Sequence, residues 1–155
     1  MSLNRIIILF VIIVIIFAGV ILYQFSVKNF GQKLPTKTVT IATHSFTAEV
    51  ATSSADQQIG LSGRASLPQD HAMLFVFSKP DYYRFWMKGM KFPLDLVFIR
   101  SSKIVSIVKN APVPKANAGN PPIYQPAVLS DTVLEINAGL SNKYGFKNGD
   151  SVTIK

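Results

Sequence analysis

Asp95 is the carboxylate most open to chemistry. It lies in FPLDLVFI, where a two-residue period places Leu94, Leu96 and Phe98 on one face and Asp95, Val97 and Ile99 on the other. A carboxylate among apolar neighbours is costly unless it is paired or hydrogen-bonded. It is therefore either a tuned general acid or base, or a structural group held by backbone N–H donors or by Arg64 or Lys88. Glu135, in VLEIN, repeats the pattern, with Leu134 and Ile136 sharing one face and the carboxyl on the other. The two carboxyls would suit glycoside hydrolysis only if they converge on one bond.

Arg64 follows Gly63. Its guanidinium could clamp a ligand carboxylate or phosphate, or tie a helix end to a strand. Trp86, the single Trp, stands near Tyr82, Tyr83, Phe85 and Phe92. That group could floor a cleft for a stacked ligand, or simply pack a core. Met87 and Met90, with Met73, His71 and His44, are soft thioether and imidazole donors that suit Cu(I), but Met is also ordinary core filler. The expected reading is no metal and no cofactor. Gly-x-Ser-x-Gly, His-Glu-x-x-His and P-loop motifs are absent. The ligand-binding candidates are thus Arg64, Trp86, Met87, Asp95 and Glu135, with no catalytic residue assigned.

These residues need elements to hold them. Thr38 to Thr43 and Phe46 to Ala51 read as strands around a His44-Ser45 turn. Ser53 and Ser54 cap a short helix, Ala55 to Leu61, with Gly63 as its stop. Met73 to Phe77 is a continuous apolar run of the kind a buried strand shows, and Arg84 to Met87 is a further short strand. Leu94 to Ile99 and Ile104 to Lys109 flank Arg100-Ser101-Ser102-Lys103 as a hairpin. Ala111 to Pro126 holds five of the nine prolines and reads as an irregular, lid-like loop. Val133 to Ile136 is a strand and Ser141 to Gly145 one helical turn. Asn148-Gly149 is a tight turn before the last strand, Ser151 to Ile154, and Asp150 is a turn residue. Short strands separated by Pro and Gly turns imply an all-β domain with one short helix, sandwich-like or barrel-like.

Ahead of that domain stands a different kind of segment. Ile6 to Tyr23 contains 18 residues without a charge or a Pro. A helix of that length spans about 27 Å, close to the hydrocarbon core of a bilayer. A cleaved signal peptide would have a shorter apolar core followed by small residues. The expectation is residues 1–5 as a short tail, 6–23 as an uncleaved transmembrane signal anchor, 24–37 as a linker, and 38–155 as the β-rich domain. Arg5 precedes the apolar run, whereas Lys28, Lys33 and Lys37 follow it. A strict Lys/Arg count favours the C-terminal side as cytoplasmic. The short basic tail is the usual shape of an exported anchor, and the expectation adopted is a domain outside the cytoplasm.

Composition agrees with this division. The 155 residues carry 16 Lys+Arg against 8 Asp+Glu, and only 15% are charged. Mean hydropathy is +0.30. The absence of Cys excludes disulfides, Cys-ligated zinc, Fe–S clusters and thiol catalysis. The basic residues are dispersed, which implies a surface facing anionic headgroups or an acidic envelope polymer, and no nucleic acid as partner.

Five ordered segments carry a resemblance. GLSGRASLP (Gly60 to Pro68), MLFVF (Met73 to Phe77), FWMKGMKFPLDLVFI (Phe85 to Ile99), VLEINAGL (Val133 to Leu140) and GFKNGDSVTI (Gly145 to Ile154) are similar to the domain of unknown function 192 family over residues 44 to 154. The resemblance implies a compact, β-rich, sandwich-like domain, often exported, and no particular activity. Ala72 stands where the family usually has Gly. Where the family reads tryptophan-methionine-lysine-asparagine-threonine, this chain reads Trp86-Met87-Lys88-Gly89-Met90, so any hydrogen bonds of that Asn and Thr are lost.

The expected function is a membrane-anchored, non-enzymatic module binding an envelope ligand or partner protein. The alternatives are a small carbohydrate-active hydrolase using Asp95 and Glu135, and a Met/His copper module.

Overall fold

A computed structural model of the chain describes residues 3–29, 33–115 and 121–155. It divides into two units, Met1–Lys33 and Leu34–Lys155. The first is a helix, α1 (Leu3–Asn29), of 27 residues. It continues through Gln24–Asn29, which the sequence reads as linker, because no Gly or Pro interrupts it there. Its described apolar side chains stand exposed, with Phe10, Phe17 and Leu22 at 67%, 68% and 70%. Side chains are described without a break only from Phe10 to Leu22. Among the described residues, no helix is long and apolar enough to cross a membrane.

The second unit is mainly β. In chain order its elements are β1 (Thr36–Ile41), β2 (His44–Ala51), α2 (Ser54–Ile59), β3 (His71–Asp81), β4 (Phe85–Trp86), β5 (Leu94–Arg100), β6 (Lys103–Ala111), β7 (Ile123–Tyr124), β8 (Ser130–Asn137), α3 (Leu140–Lys143) and β9 (Val152–Ile154). Seven strands form one sheet in the order β6-β5-β8-β3-β2-β1-β9. β2 and β3 run parallel, and the other neighbours are antiparallel. The parallel pair requires a crossover, and that crossover carries α2 and residues 60–70.

The sheet curls until its edges meet at one end. Ile104 N–H donates to the Asp150 carbonyl (2.9 Å), Gly149 N–H to the Ile104 carbonyl (2.8 Å), and Val152 N–H to the Ser102 carbonyl (2.9 Å). Of the two expected forms, the barrel-like one is therefore adopted, as a curled half-barrel. Joining the edges also removes unpaired strand groups that would otherwise invite association.

The central strands β5, β8 and the start of β3 are buried on both faces, whereas β1, β2, β6 and β9 leave residues of their outer face exposed. One cluster draws on every strand of the seven, including Val39, Phe46, Leu74, Val97, Ile104, Leu134 and Val152. It fills the inside of the curl. The second includes Leu61, Met73, Phe75, Phe85, Met87, Leu96 and Phe98, and covers the outer face of β3, β8 and β5. Double burial explains why Met73 to Phe77 and Leu94 to Ile99 read as unbroken apolar runs.

Several boundaries differ from the sequence reading. The first hairpin turns at Ala42-Thr43, not His44-Ser45, with Ala42 at φ 53° and His44 paired to Ile41. Both turn residues are short enough for a tight connection, whereas His44 is free to join the ladder. α2 has the predicted Ser53 cap, whose side chain accepts from Asp56 N–H, but it ends at Gly60 (φ 52°) rather than Gly63. Gly60 N–H caps the Asp56 carbonyl, so the left-handed turn comes one helical turn earlier. The Ser101-Ser102 hairpin forms as expected, with φ of 50° and 58°, as a two-residue primed turn requires. The Pro-rich stretch is not wholly irregular, because Ile123 and Tyr124 pair with Trp86 and Phe85. Residues 116–120 of the lid-like loop lie outside the described residues.

Candidate functional site

The sheet register separates the two carboxylates. Asp95 pairs with Ile136, and Leu96 pairs with Glu135. Side chains alternate between faces along a strand, so Asp95 enters the inside of the curl and Glu135 the outer face. They do not converge on one bond, and hydrolysis by this pair has no geometric basis here.

Asp95 is fully buried. Oδ1 accepts from Asn110 N–H (2.8 Å) and Gly139 N–H (3.1 Å), and Oδ2 from Ser141 N–H (2.9 Å). Asn110 and Gly139 take positive φ, 55° and 85°, which turns their N–H groups onto the carboxylate. Asp95 thus ties β6 and the start of α3 to β5. Neither Arg64 nor Lys88 partners it. Arg64 forms a two-bond fork with the Glu49 carboxylate on β2, at 2.6 and 2.7 Å, and that carboxylate raises the guanidinium pKa above its ordinary value. Arg64 therefore anchors the chain beyond α2 to the sheet.

Met87 is buried in the outer core with Met73. His44 stacks on Tyr144 at 3.6 Å, and His71 Nδ1 lies 2.9 Å from Asp70 Oδ1. Both histidines begin strands rather than lying in loops. The histidines face aromatic and acidic partners and the methionines fill the core, so no Met/His set is assembled. Among the described residues, no group of three His, Cys, Asp or Glu could hold a metal ion.

Trp86 behaves differently from its neighbours. Around the two-residue strand β4, Phe85 and Met87 turn into the core and Trp86 turns out, 51% exposed. The core-packing reading of Trp86 therefore fails. Lys88 Nζ lies 5.6 Å from the Trp86 ring centre, within cation–π range.

Trp86 and Glu135 line the same cleft, of about 240 Å³, between α2 and the 82–90 segment. Its wall is aromatic. Phe77 stacks on Tyr83 at 3.5 Å, and Phe75 meets Phe85 edge-on at 5.0 Å. The α2 side is fixed by Gln57, whose Nε2 donates to the Val76 carbonyl at 2.9 Å. Arg84 and Lys88 supply the cationic lining. Glu135 is 5% exposed and makes no hydrogen bond or ion pair among the described residues. Desolvation by burial pushes its pKa up to about 8, so at neutral pH it is mainly a neutral carboxylic acid, a hydrogen-bond donor. Met90 and Leu61 also reach the cleft.

Of the sequence candidates, the structure brings Trp86 and Glu135 together and leaves Arg64, Met87 and Asp95 in structural roles. Arg84, and Lys88 as a cleft residue, went unrecognised in the sequence. Their signal was the alternation in RFWMK, where the two cations share a side with Trp86.

The comparisons with known proteins agree with the fold. A crystal structure of a protein of unknown function from Novosphingobium aromaticivorans is similar, at 33% identity and TM-score 0.69, over 77% of this chain and 86% of that one. Another, from Sinorhizobium meliloti and provisionally described as a transcription regulator, is similar at 31% identity and TM-score 0.72, over 80% of this chain and 97% of that one. No curated protein matches the chain. Residues 37–154 match the family model for domain of unknown function 192, described as an uncharacterized ACR. The ordered segments, the curled sheet and this match together make the chain a member of the domain of unknown function 192 family.

Proposed function

We propose that this protein is a non-enzymatic binding module, tethered to a membrane by residues 6–23, whose cleft over Glu135 takes an envelope ligand outside the cytoplasm. One observation carries the binding reading. Glu135 is a buried, unpartnered carboxyl at the base of an open, aromatic-walled cleft, and such a group is costly unless something uses it. Apolar pockets with a few convergent polar groups are the usual form of small-ligand sites. The opposed faces of Asp95 and Glu135 weigh against the hydrolase reading.

The tether rests on Ile6 to Tyr23, 18 residues without a charge. A helix apolar on all sides suits lipid better than water. Alkaline carbonate extraction of the full chain from cells should leave it in the membrane fraction, and protease added outside the inner membrane should degrade a C-terminal tag. Release by carbonate, or a protected tag, would defeat the tether or its orientation. The ligand site is tested by Trp86 emission, since it is the single Trp. Acrylamide should quench it readily in the empty protein, and a ligand in the cleft should protect it.

A further inference from the structure

The cleft has a charge pattern that narrows what it can hold. Its charged lining consists of Arg84, Lys88 and Glu135. The two cations flank β4 and are exposed like Trp86, and the one acid lies at the buried end. Tyr83 is the remaining ionisable group that lines the cleft, and its hydroxyl already donates to the Lys79 carbonyl at 2.8 Å. From β3 the cleft receives Phe75 and Phe77, and from α2 it receives Gln57, Gln58 and Ile59. None of these carries charge. The flanking strands β5 and β3 place Leu96 and Met73 beside Glu135, and beyond Met73 on the same row Glu49 is neutralised by Arg64. Asp81 and Asp131 act on Tyr83 but do not line the cleft. A cationic ligand would meet two cations before reaching the acid, whereas an anionic one is drawn in.

Volume and shape add a second restriction. A cleft of about 240 Å³ lies just below the usual size range of small-ligand sites and so takes one small ring. The exposed Trp86 offers a flat apolar face, and a neutral carboxyl offers a hydrogen to an oxygen acceptor.

We propose that the cleft takes a small anionic saccharide of the uronate class, with its ring against Trp86, its carboxylate toward Arg84 and Lys88, and a hydroxyl oxygen at Glu135. This rests on the cleft being the ligand site. The protonated Glu135 both donates to the sugar oxygen and avoids repelling the ligand's negative charge. With Glu135 titrating near 8, raising the pH from 6 to 9 ionises it and weakens binding about tenfold, because only the neutral form is competent.

The test uses the full chain in a detergent without sugar headgroups, with Trp86 emission as readout. Glucuronate, glucose, glucosamine and benzoate are titrated separately at pH 6. The expected result is saturation by glucuronate with a Kd at least tenfold below that for glucose, and no response to glucosamine. Lys88→Gln should raise the glucuronate Kd by a clearly larger factor than it raises that of glucose. Glu135→Gln should bring the ratio of Kd at pH 9 to Kd at pH 6 from about ten to about one, as the titrating group is gone. Saturation by glucose, glucosamine or benzoate with no response to glucuronate overturns the uronate inference and leaves the cleft as a ligand site. Silence toward all four overturns the inference and the cleft reading together.

Discussion

Asp95 and Glu135 lie on neighbouring strands one position out of register, so that one carboxyl enters the inside of the curl and the other the outer cleft. That offset of a single residue assigns them opposite roles. Asp95 meets three backbone N–H groups and is satisfied. Glu135 meets none and remains available.

Asp95→Asn should destabilise the domain without affecting the cleft. The amide keeps one acceptor oxygen and turns an NH2 toward either Ser141 N–H or the Asn110–Gly139 pair. Hydrogen bonds to a charged acceptor contribute roughly 1.5–3 kcal/mol each, and the expected loss is about 3 kcal/mol in urea unfolding. Unchanged stability, or altered acrylamide quenching of Trp86 in the folded variant, would remove the structural assignment.

Glu135 should make stability fall as pH rises. Its carboxyl is near 4.5 in the unfolded chain and about 8 in the folded one. Between those values the unfolded state has released a proton that the native state retains. Stability from this group is therefore full below about pH 4.5 and is lost progressively up to about pH 8, by about 3–5 kcal/mol in all. Glu135→Gln should match wild type near pH 4.5 and melt higher than wild type at pH 8. Parallel melting curves for the two proteins across that range would contradict the buried, unpartnered state of Glu135.

Gly89 should resist substitution for two separable reasons. Its φ is +72°, and a Cβ there would run into Ser62 Oγ. Gly89→Ala is expected to cost about 1–2 kcal/mol from the left-handed backbone alone, plus the steric part. In a Ser62→Ala background the steric part should disappear and the backbone part remain. If the cost is the same in both backgrounds, the Ser62 contact has no energetic weight. The Asn usual in the family is the other residue that tolerates this backbone region, so the exchange to Gly here preserves the turn while surrendering a side chain.

Arg64→Gln should be mild. The fork to Glu49 has good geometry, but the two side chains are 35% and 25% exposed, and solvent screens such pairs to about 1 kcal/mol or less. A small drop in Tm with no change in the response of Trp86 to ligands is expected. Loss of that response would instead move Arg64 into the site.

Much of the architecture was legible because it depends on local patterns. The Ser101-Ser102 hairpin follows from the length of the turn between two β-prone runs. The Ser53 cap follows from hydroxyl chemistry. MLFVF announced a strand covered on both faces. The first hairpin was misplaced by two residues because Ala42 carries no turn signal, and its positive φ is imposed by the pairing of Ile41 with His44. The end of α2 was misplaced because Gly60 and Gly63 are equally good stops by type, and only the packing of Phe75 beneath Gly60 distinguishes them.

Alone, the sequence determined which residues are able to do chemistry, the uncharged run of Ile6 to Tyr23, the β-rich class and the family. These depend on side-chain type and on spacing within a few residues. The tertiary structure decided which carboxyl is used up and which is left over. Asp95 and Glu135 sit in equivalent alternating patterns, and nothing local separates them. What separates them is the register of β5 against β8, and the donors and apolar groups that distant segments bring to each face of the sheet.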